Sequence, residues 1–470
     1  MSSAIMYLSA LLAVVIVVVM LIKKMDIKIS LFLMGIILMF IAMASGNGIA
    51  IKDFESTGVF FLDPLKAIAD QFKSIITASG FIILILGGYS SYMSHIKAND
   101  VTVSVLTKPI GKIKSVYVLV PAVFILGNIL SLVIPSASNL AIILLATLYP
   151  IMLQAGMSSL TAGAIIATTA TVMPTPLGSD NVAMAAELAN TTQFAGLTAS
   201  DYVFKYHAIV SVPTIIVMAL AHYLWQKHCD KKLNTQKEVV EAGKIEDVKG
   251  GAFYKFVYGL LPLLPIIMLI VVFILQTVTE VKVTLSVEVA VLFSMVIAII
   301  CELVRTRNMK ETLDSTETFF KGMGNAMPIV ALLVAGTTFV TGLQSIGIIT
   351  ALQNAMTNLH GGGMGFVLPL ILVLLTALIV ILSGSGTALF FAMVPLMVPL
   401  AAAAGINVLA VAIPMGLAGN LLRAVSPVSA VVMIVAGSIK KEPLEIVKRT
   451  SIPMITGVIF MFVLTMILYL

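Results

Sequence analysis

Charged residues are scarce in this sequence. Only 11% of its 470 residues are Asp, Glu, Lys or Arg, whereas a soluble chain has about 25%. Hydrophobic residues make up 60% of the chain, and its mean hydropathy is +1.10. This composition excludes an arrangement of several soluble domains. It predicts a polytopic membrane protein. We expect this protein to be all-α, because every backbone polar group in a bilayer must be satisfied within the protein, as it is in an α-helix.

Cysteine and metal-binding patterns are also nearly absent. Cys229 and Cys301 are the only two cysteines and belong to no CxxC or histidine motif, so we predict free thiols. There is no HExxH motif and no pair of intramembrane aspartates. We therefore predict no catalytic residue, no metal site and no cofactor other than a coupling cation, sodium or proton.

The excess of positive charge lies at the ends of apolar runs. The net charge is +6, and the basic residues cluster near 23–28, 97–114, 227–232, 305–310 and 440–449. The positive-inside rule places such clusters in the cytoplasm, so we expect a lipid bilayer as partner and no nucleic acid. This placement puts both termini outside, provided that 116–155 and 364–403 are re-entrant hairpins.

The apolar runs are long enough for membrane spans of about 20 residues. Shorter runs at 140–155 and 388–403 are expected to form the returning arms of the two hairpins. The long and short runs together predict ten crossings plus two hairpins. The long runs are 5–23, 28–46, 76–94, 116–134, 158–188, 205–226, 256–276, 284–304, 324–345, 364–382, 406–438 and 452–470.

An internal repeat divides the chain into two halves. Phe72-Lys73 matches Phe320-Lys321, 248 positions later, and Thr175-Pro176 matches Ser426-Pro427, 251 positions later. Each half contains five transmembrane helices plus a re-entrant hairpin, and this odd number of crossings makes the repeats inverted. We predict a first repeat at 1–226, a cytoplasmic linker at 227–255 and a second repeat at 256–470.

Four polar interruptions fall inside the apolar runs, two in each half. The predicted hairpin tips lie near 135–139 and 383–387, and the predicted broken helices near 174–181 and 420–429. A broken helix offers unpaired N–H groups and a partial positive charge at its new N-terminus, which can hold an anion. The alternative is that small residues only permit close helix packing. We favour a transporter with its binding site at the midplane.

The interruptions supply the candidate site residues. Arg423 suits a carboxylate because its guanidinium can bond in a bidentate way; the alternative is an internal ion pair, for example with Asp180. Asp180 is the buried acid that could respond to a coupling ion. The predicted substrate-binding residues are Ser136, Ser138, Asn139, Ser383, Ser385, Thr387, Asn420, Arg423 and Ser426. The predicted coupling-ion residues are Asp180, Asn181, Ser179 and Thr175.

Several stretches, taken in order, resemble the anaerobic C4-dicarboxylate carriers of the C subtype. They include Ala146-Thr147-Leu148-Tyr149-Pro150, Ser383-Gly384-Ser385-Gly386 and Arg423-Ala424-Val425-Ser426-Pro427. The resemblance implies a bacterial inner-membrane carrier that exchanges or exports succinate, fumarate or malate. That family is similar to the divalent-anion symporters, whose Ser-Asn-Thr tips bind sodium and a dicarboxylate. A homodimer is compatible with this reading.

The two tips depart from those patterns. This chain has Ser138-Asn139-Leu140 at one tip and Ser385-Gly386-Thr387 at the other, so each keeps two residues of the Ser-Asn-Thr set. A carrier for another small organic anion or an amino acid therefore stays open. The alternative of another class is a membrane-embedded enzyme or an ion-conducting subunit.

Overall fold

The computed structural model describes residues 3–23, 25–113, 115–134, 136–232, 250–279, 283–348 and 365–470. Within these ranges the chain forms helices joined by turns, and none of these residues is in a β-strand. The α-helices of the first half are α1 Ser3–Ile22, α2 Ile27–Ala44, α3 Asp63–Ile75, α4 Phe81–His95, α5 Ala98–Thr107, α6 Val116–Ser131, α7 Ala137–Gln154, α8 Ser159–Ala167, α9 Ser179–Ala189, α10 Ala199–Asp201 and α11 Ala208–Lys232.

The second half repeats much of this order of elements. Its helices are α12 Ala252–Leu260, α13 Leu264–Val278, α14 Val287–Thr306, α15 Met309–Ser315, α16 Glu317–Ser345, α17 Val367–Ser383, α18 Gly386–Ala404, α19 Leu409–Arg423, α20 Ala430–Ser438 and α21 Pro443–Tyr469. Helices α7 and α18 begin 249 positions apart (386 − 137), and α9 and α20 begin 251 apart (430 − 179). These offsets agree with those between the sequence motifs.

The described residues include nine helical segments that are long and apolar enough to cross a membrane. Four shorter apolar helical stretches accompany them: Leu8–Met20, Val116–Ser131, Val367–Ser383 and Leu409–Arg423. This supports a multi-pass membrane protein. Two of the predicted runs are not continuous helices, because 158–188 is divided into α8 and α9 and 406–438 into α19 and α20.

Helix α16 forms the centre of the packing, with α2 on one side and α4 on the other. Small residues let the backbones approach closely at both crossings, as is common inside membranes. A Cβ built on Gly35 of α2 would lie 2.7 Å from the carbonyl oxygen of Thr338. At the other crossing, a Cβ on Gly322 would collide with Oγ of Ser91.

The two halves also pack against each other reciprocally. Helix α7, after the first tip, contacts α20, which follows the break in the second half. Helix α18, after the second tip, contacts α9, which follows the break in the first half. Each hairpin therefore lies against the broken helix of the opposite half.

One member of the predicted basic clusters is not on the surface. Arg449, expected at a cytoplasmic helix end, is buried, and its Nη1 lies 2.7 Å from Oδ1 of Asp230. Thr161 and Gln226 also bond to this pair, so the charge is compensated inside the helix bundle. The predicted linker at 227–255 begins inside α11, which continues to Lys232, and residues 233–249 lie outside the described part of the chain.

The α4–α16 crossing provides a test of the packing. We expect Gly322→Ala to lower the free energy of unfolding by about 1–3 kcal/mol, because its methyl group would collide with Ser91 and with the backbone of Gly87. Gly324→Ala is the matched control on the same helix, since its Cβ would have no atom within 4 Å. Thermal unfolding in detergent measures both variants, and equal stability of the two would contradict this packing.

Candidate functional site

The first tip is the turn between α6 and α7. Ser136 caps α7, and its Oγ accepts a hydrogen bond from the backbone N–H of Asn139 at 3.4 Å. Ser138 and Asn139 therefore lie in the first turn of α7, and position 135 lies outside the described residues. The N-terminus of α7 presents its free N–H groups here, as an anion site requires.

The second tip is a tighter turn between α17 and α18. Gly384 ends α17 with a φ of +76°, a conformation that glycine adopts without a steric penalty. Oγ of Ser383 accepts a hydrogen bond from the backbone N–H of Ser385 at 3.2 Å. The chain then enters α18 at Gly386, so both tips end in a helix N-terminus.

Four polar side chains at the tips remain free to bind a ligand. These are the side chains of Ser138, Asn139, Ser385 and Thr387, and none of them has a hydrogen-bond partner among the described residues. Asn139 and Ser385 are exposed, and Ser138 and Thr387 are partly exposed.

Equivalent hydrogen bonds tie the two broken helices to the hairpins. Oγ1 of Thr175 donates to the carbonyl of Leu132 at 3.2 Å. In the second half, Oγ of Ser426 donates to the carbonyl of Ile381 at 2.8 Å. The donors are 251 positions apart and the acceptors 249 (426 − 175 and 381 − 132), so this contact is repeated. Each hydroxyl satisfies a carbonyl near the point where the first helix of its hairpin ends.

The first break is longer than predicted and begins earlier. It covers residues 168–178, so Ser179, Asp180 and Asn181 already belong to α9. The hydroxyls of Thr168 and Thr169 donate to carbonyls in the last turn of α8. Such local side-chain bonds compete with the helix, which explains the early end. The second break covers 424–429, and Asn420 and Arg423 form the last turn of α19.

Asp180 joins the two halves directly. Its Oδ2 accepts a hydrogen bond from Nδ2 of Asn420 at 3.1 Å. Its position in the first turn of α9 is favourable for a negative charge, because the partial positive charge of the helix dipole lies there. The neighbouring Asn181 donates from Nδ2 to the carbonyls of Met173 and Thr175, each at 2.9 Å. Asn181 therefore holds the irregular backbone that positions Asp180.

Arg423 reaches the first break from the second half of the chain. Its Nη2 donates to the carbonyl of Ala170 at 2.7 Å, and its buried Nε has no hydrogen-bond partner. None of the salt bridges among the described residues includes Arg423, so the expected alternative of an ion pair with Asp180 is not formed. A guanidinium anchored on a neutral carbonyl keeps its positive charge available to an anion.

The second tip lies directly beside Asn420. A Cβ on Gly386 would overlap the carbonyl oxygen of Gly419, so only glycine fits at this contact. A Cβ on Gly384 would similarly lie 2.8 Å from the carbonyl oxygen of Val428, in the second break. The structure thus brings together the second tip, the second break, Asp180 and the first break. Among the described residues, no hydrogen bond joins the two tips.

Two polar groupings near the site were not identified from the sequence. His222 is buried, and its Nε2 lies 3.1 Å from Oγ1 of Thr168, at the start of the first break. Glu187, in the last turn of α9, lines a cavity between α3, α9, α16 and α18. Neither residue lies in a recognisable motif, so no sequence signal marked them. In the described ranges, no cluster of His, Cys, Asp or Glu could hold a metal ion.

Comparison with known proteins identifies the family. The model of the C4-dicarboxylate anaerobic carrier family, DcuC, matches residues 6–470. The chain belongs to this family. The probable anaerobic C4-dicarboxylate transporter DcuC of Vibrio cholerae is 38% identical over 436 residues, which are 92% of this chain and 91% of that protein. The DcuC transporter of Escherichia coli K12 is 35% identical, over 93% of this chain and 90% of its own.

Two solved structures share the fold. The YdaH transporter of Alcanivorax borkumensis has a TM-score of 0.67 at 14% identity, with 93% of this chain and 97% of that chain covered. MtrF of Neisseria gonorrhoeae has a TM-score of 0.59 at 15% identity, with 93% and 94% covered. The family and its relatives are transporters, so the alternative of a membrane-embedded enzyme is wrong.

The contact between Asp180 and Asn420 can be tested by exchanging the two side chains. We expect Asn420→Asp to lower the free energy of unfolding by about 1–3 kcal/mol, because it puts a second carboxylate where Asp180 needs a donor. Adding Asp180→Asn restores one amide and one carboxylate at this contact. Thermal unfolding of the single and double variants measures the coupling. A double variant no more stable than Asn420→Asp alone would contradict the contact.

Proposed function

We propose that the protein is a secondary active transporter of C4-dicarboxylates such as succinate, fumarate and malate. Exchange, efflux and ion-coupled uptake all fit a carrier of this kind. Membership of the C4-dicarboxylate anaerobic carrier family supports the substrate class. The observation that carries the proposal is Arg423, a cation at membrane depth in a region built from both halves. Its Nη2 donates to the neutral carbonyl of Ala170, and it forms no salt bridge among the described residues. Intramembrane charges of this kind are costly and mark function.

The two ends of the substrate would be bound by different chemistry. Arg423, assisted by Asn420 and Ser426, would hold one carboxylate. The other carboxylate would lie at the tips, where free hydroxyls and helix N-termini supply donors without adding charge. The tip residues proposed for this role are Ser136, Ser138, Asn139, Ser383, Ser385 and Thr387. Ser426 donates to the carbonyl of Ile381, and Ser383 accepts from the backbone N–H of Ser385, so these two hydroxyls also hold the backbone of the site.

The coupling ion is proposed to act at the N-terminus of α9. Asp180 is the only one of the four predicted residues Thr175, Ser179, Asp180 and Asn181 whose charge can change. Thr175 and Asn181 hold the surrounding backbone. A bound cation or proton would weaken the repulsion between Asp180 and an incoming dianion. The ion could be sodium, as in the similar divalent-anion symporters, or a proton.

We further propose that the chain forms two inverted repeats, at 1–226 and 256–470, joined by a cytoplasmic linker. The repeated hydroxyl-to-carbonyl bonds and the reciprocal packing of α7 on α20 and of α18 on α9 support this. Both hairpins would be re-entrant, and both termini would lie outside the bacterial inner membrane. A homodimer stays a prediction.

Uptake of labelled succinate by proteoliposomes tests the substrate class. We expect exchange of external labelled succinate for internal succinate, fumarate or malate, and no exchange for glutamine or ornithine. Empty liposomes and liposomes with heat-denatured protein are the controls. Exchange of amino acids or of other small organic anions in place of succinate would favour the alternative substrate, and absence of C4-dicarboxylate transport under every gradient would refute this function.

Arg423 gives the sharpest prediction at the level of one residue. We expect Arg423→Gln to raise the Kd for succinate at least about tenfold, because loss of a buried charge partner costs about 2–5 kcal/mol. Arg423→Lys keeps the charge and should lose less. Arg305→Gln is the control, since Arg305 pairs with Glu302 away from the site. Ligand-induced thermal shifts give the Kd, and unchanged affinity with lower stability would make Arg423 structural.

A further inference from the structure

Glu187 lies in a cavity that the proposed substrate site does not use. The cavity has a volume of about 140 Å³ and lies where elements of both halves meet. The first half supplies α3, α9 and the π-helical turn Ile76–Gly80, and the second half supplies α16 and α18. Single π-helical turns are rare and occur frequently at functional sites.

The carboxylate of Glu187 has no partner among the described residues. Gln71 is already committed, because its Nε2 donates to Thr341 at 2.8 Å and its Oε1 accepts from Thr338 at 2.6 Å. Thr337 donates to the carbonyl of Leu333. The cavity also contains Ser74, Ser79 and Asn190, and none of its lining residues is basic. A carboxylate in such a place is stable only when hydrated or neutralised.

The charged groups on the surrounding elements do not neutralise Glu187. On α3, Asp63 accepts hydrogen bonds from Ser56 and Thr57, and Asp70 pairs with Lys66 and Lys73. Asp201 pairs with Lys205, and Glu317 pairs with Lys321 on α16. Helix α18 has no titratable side chain. The remaining titratable groups on elements packed against α9 are Tyr89, Tyr92, His95, Tyr202, Tyr206, His207 and Arg423.

Helix geometry connects this cavity with the proposed transport site. Asp180 and Glu187 are seven residues apart on α9, which is about two turns, so both lie on one face about 10 Å apart. Helix α18, which also lines the cavity, begins at the second tip. A change of charge at Glu187 therefore acts on α9, which carries Asp180, and on α18, which begins at the second tip.

We propose that this cavity is the loading site of the coupling proton and that Glu187, rather than Asp180 itself, binds the proton, whose charge then acts on Asp180 two turns away along α9. This inference rests on the proposed transport function. A hydronium ion from one aqueous side gives its proton to a carboxylate oxygen of Glu187, and water is left. The neutral carboxyl group no longer needs hydration, so α9 and α18 can close over it. The proton returns to water when the cavity faces the other side.

The first test uses proteoliposomes with wild-type protein, Glu187→Gln and Glu288→Gln. Glu288 is a partly buried glutamate on α14 outside the cavity, so its variant is the control. With one coupled proton, a gradient of one pH unit should let the wild type accumulate succinate about tenfold. We expect Glu187→Gln to lose this accumulation and to retain succinate exchange. Proton-driven accumulation by Glu187→Gln, loss of its exchange, or wild-type accumulation that responds only to sodium would each overturn the proposal.

The second test needs no substrate, so it separates this proposal from the transport function. Infrared difference spectra of the protein in nanodiscs are recorded between mildly alkaline and acidic pH. We expect a protonated-carboxyl band in the wild type and in Glu288→Gln that is missing in Glu187→Gln. Identical spectra for all three proteins would refute proton binding at Glu187, whether or not succinate is transported.

Discussion

Backbone that leaves the α-helix inside a bilayer must find its hydrogen-bond partners within the protein. The protein meets this constraint at two breaks, and the same device appears at each: Thr175 donates to Leu132, and Ser426 donates to Ile381. Asn181 satisfies two further carbonyls in the first break, and Arg423 satisfies a third. The breaks can exist because side chains replace the missing helical bonds, and the free helix ends beside them become available to a ligand.

This arrangement also determines the electrostatics of the proposed site. Arg423 and Asp180 have opposite charges, yet each bonds to a neutral group, a carbonyl in one case and the amide of Asn420 in the other. Their charges therefore do not cancel in a direct ion pair. In the proposed mechanism the cation binds a carboxylate of the substrate and the acid responds to a coupling ion. Buried Arg449 is different, because its pair with Asp230 compensates its charge.

The sequence predicted the membrane class and the approximate positions of the interruptions, because these depend on local composition and on Pro, Gly and Ser clusters. The family was predicted from the resemblance of several motifs taken in order. It missed the early end of α8, where threonine hydroxyls bond to the last carbonyls. It also missed contacts between distant residues. Asn420 and Asp180 are 240 positions apart, and nothing local in either segment indicates their pairing. Glu187 and Arg449 both lie near helix ends, but one-dimensional position does not show that other elements fold over their side chains.

The central claim is that the dicarboxylate binds between the two broken helices, with one carboxylate on Arg423. An experimental structure of the protein in nanodiscs with bound succinate tests it most directly. The account predicts ligand density between the two breaks, with one carboxylate within hydrogen-bond distance of the Arg423 guanidinium and the other at the tips. Succinate bound elsewhere, with Arg423 still bonded only to the carbonyl of Ala170, would contradict it.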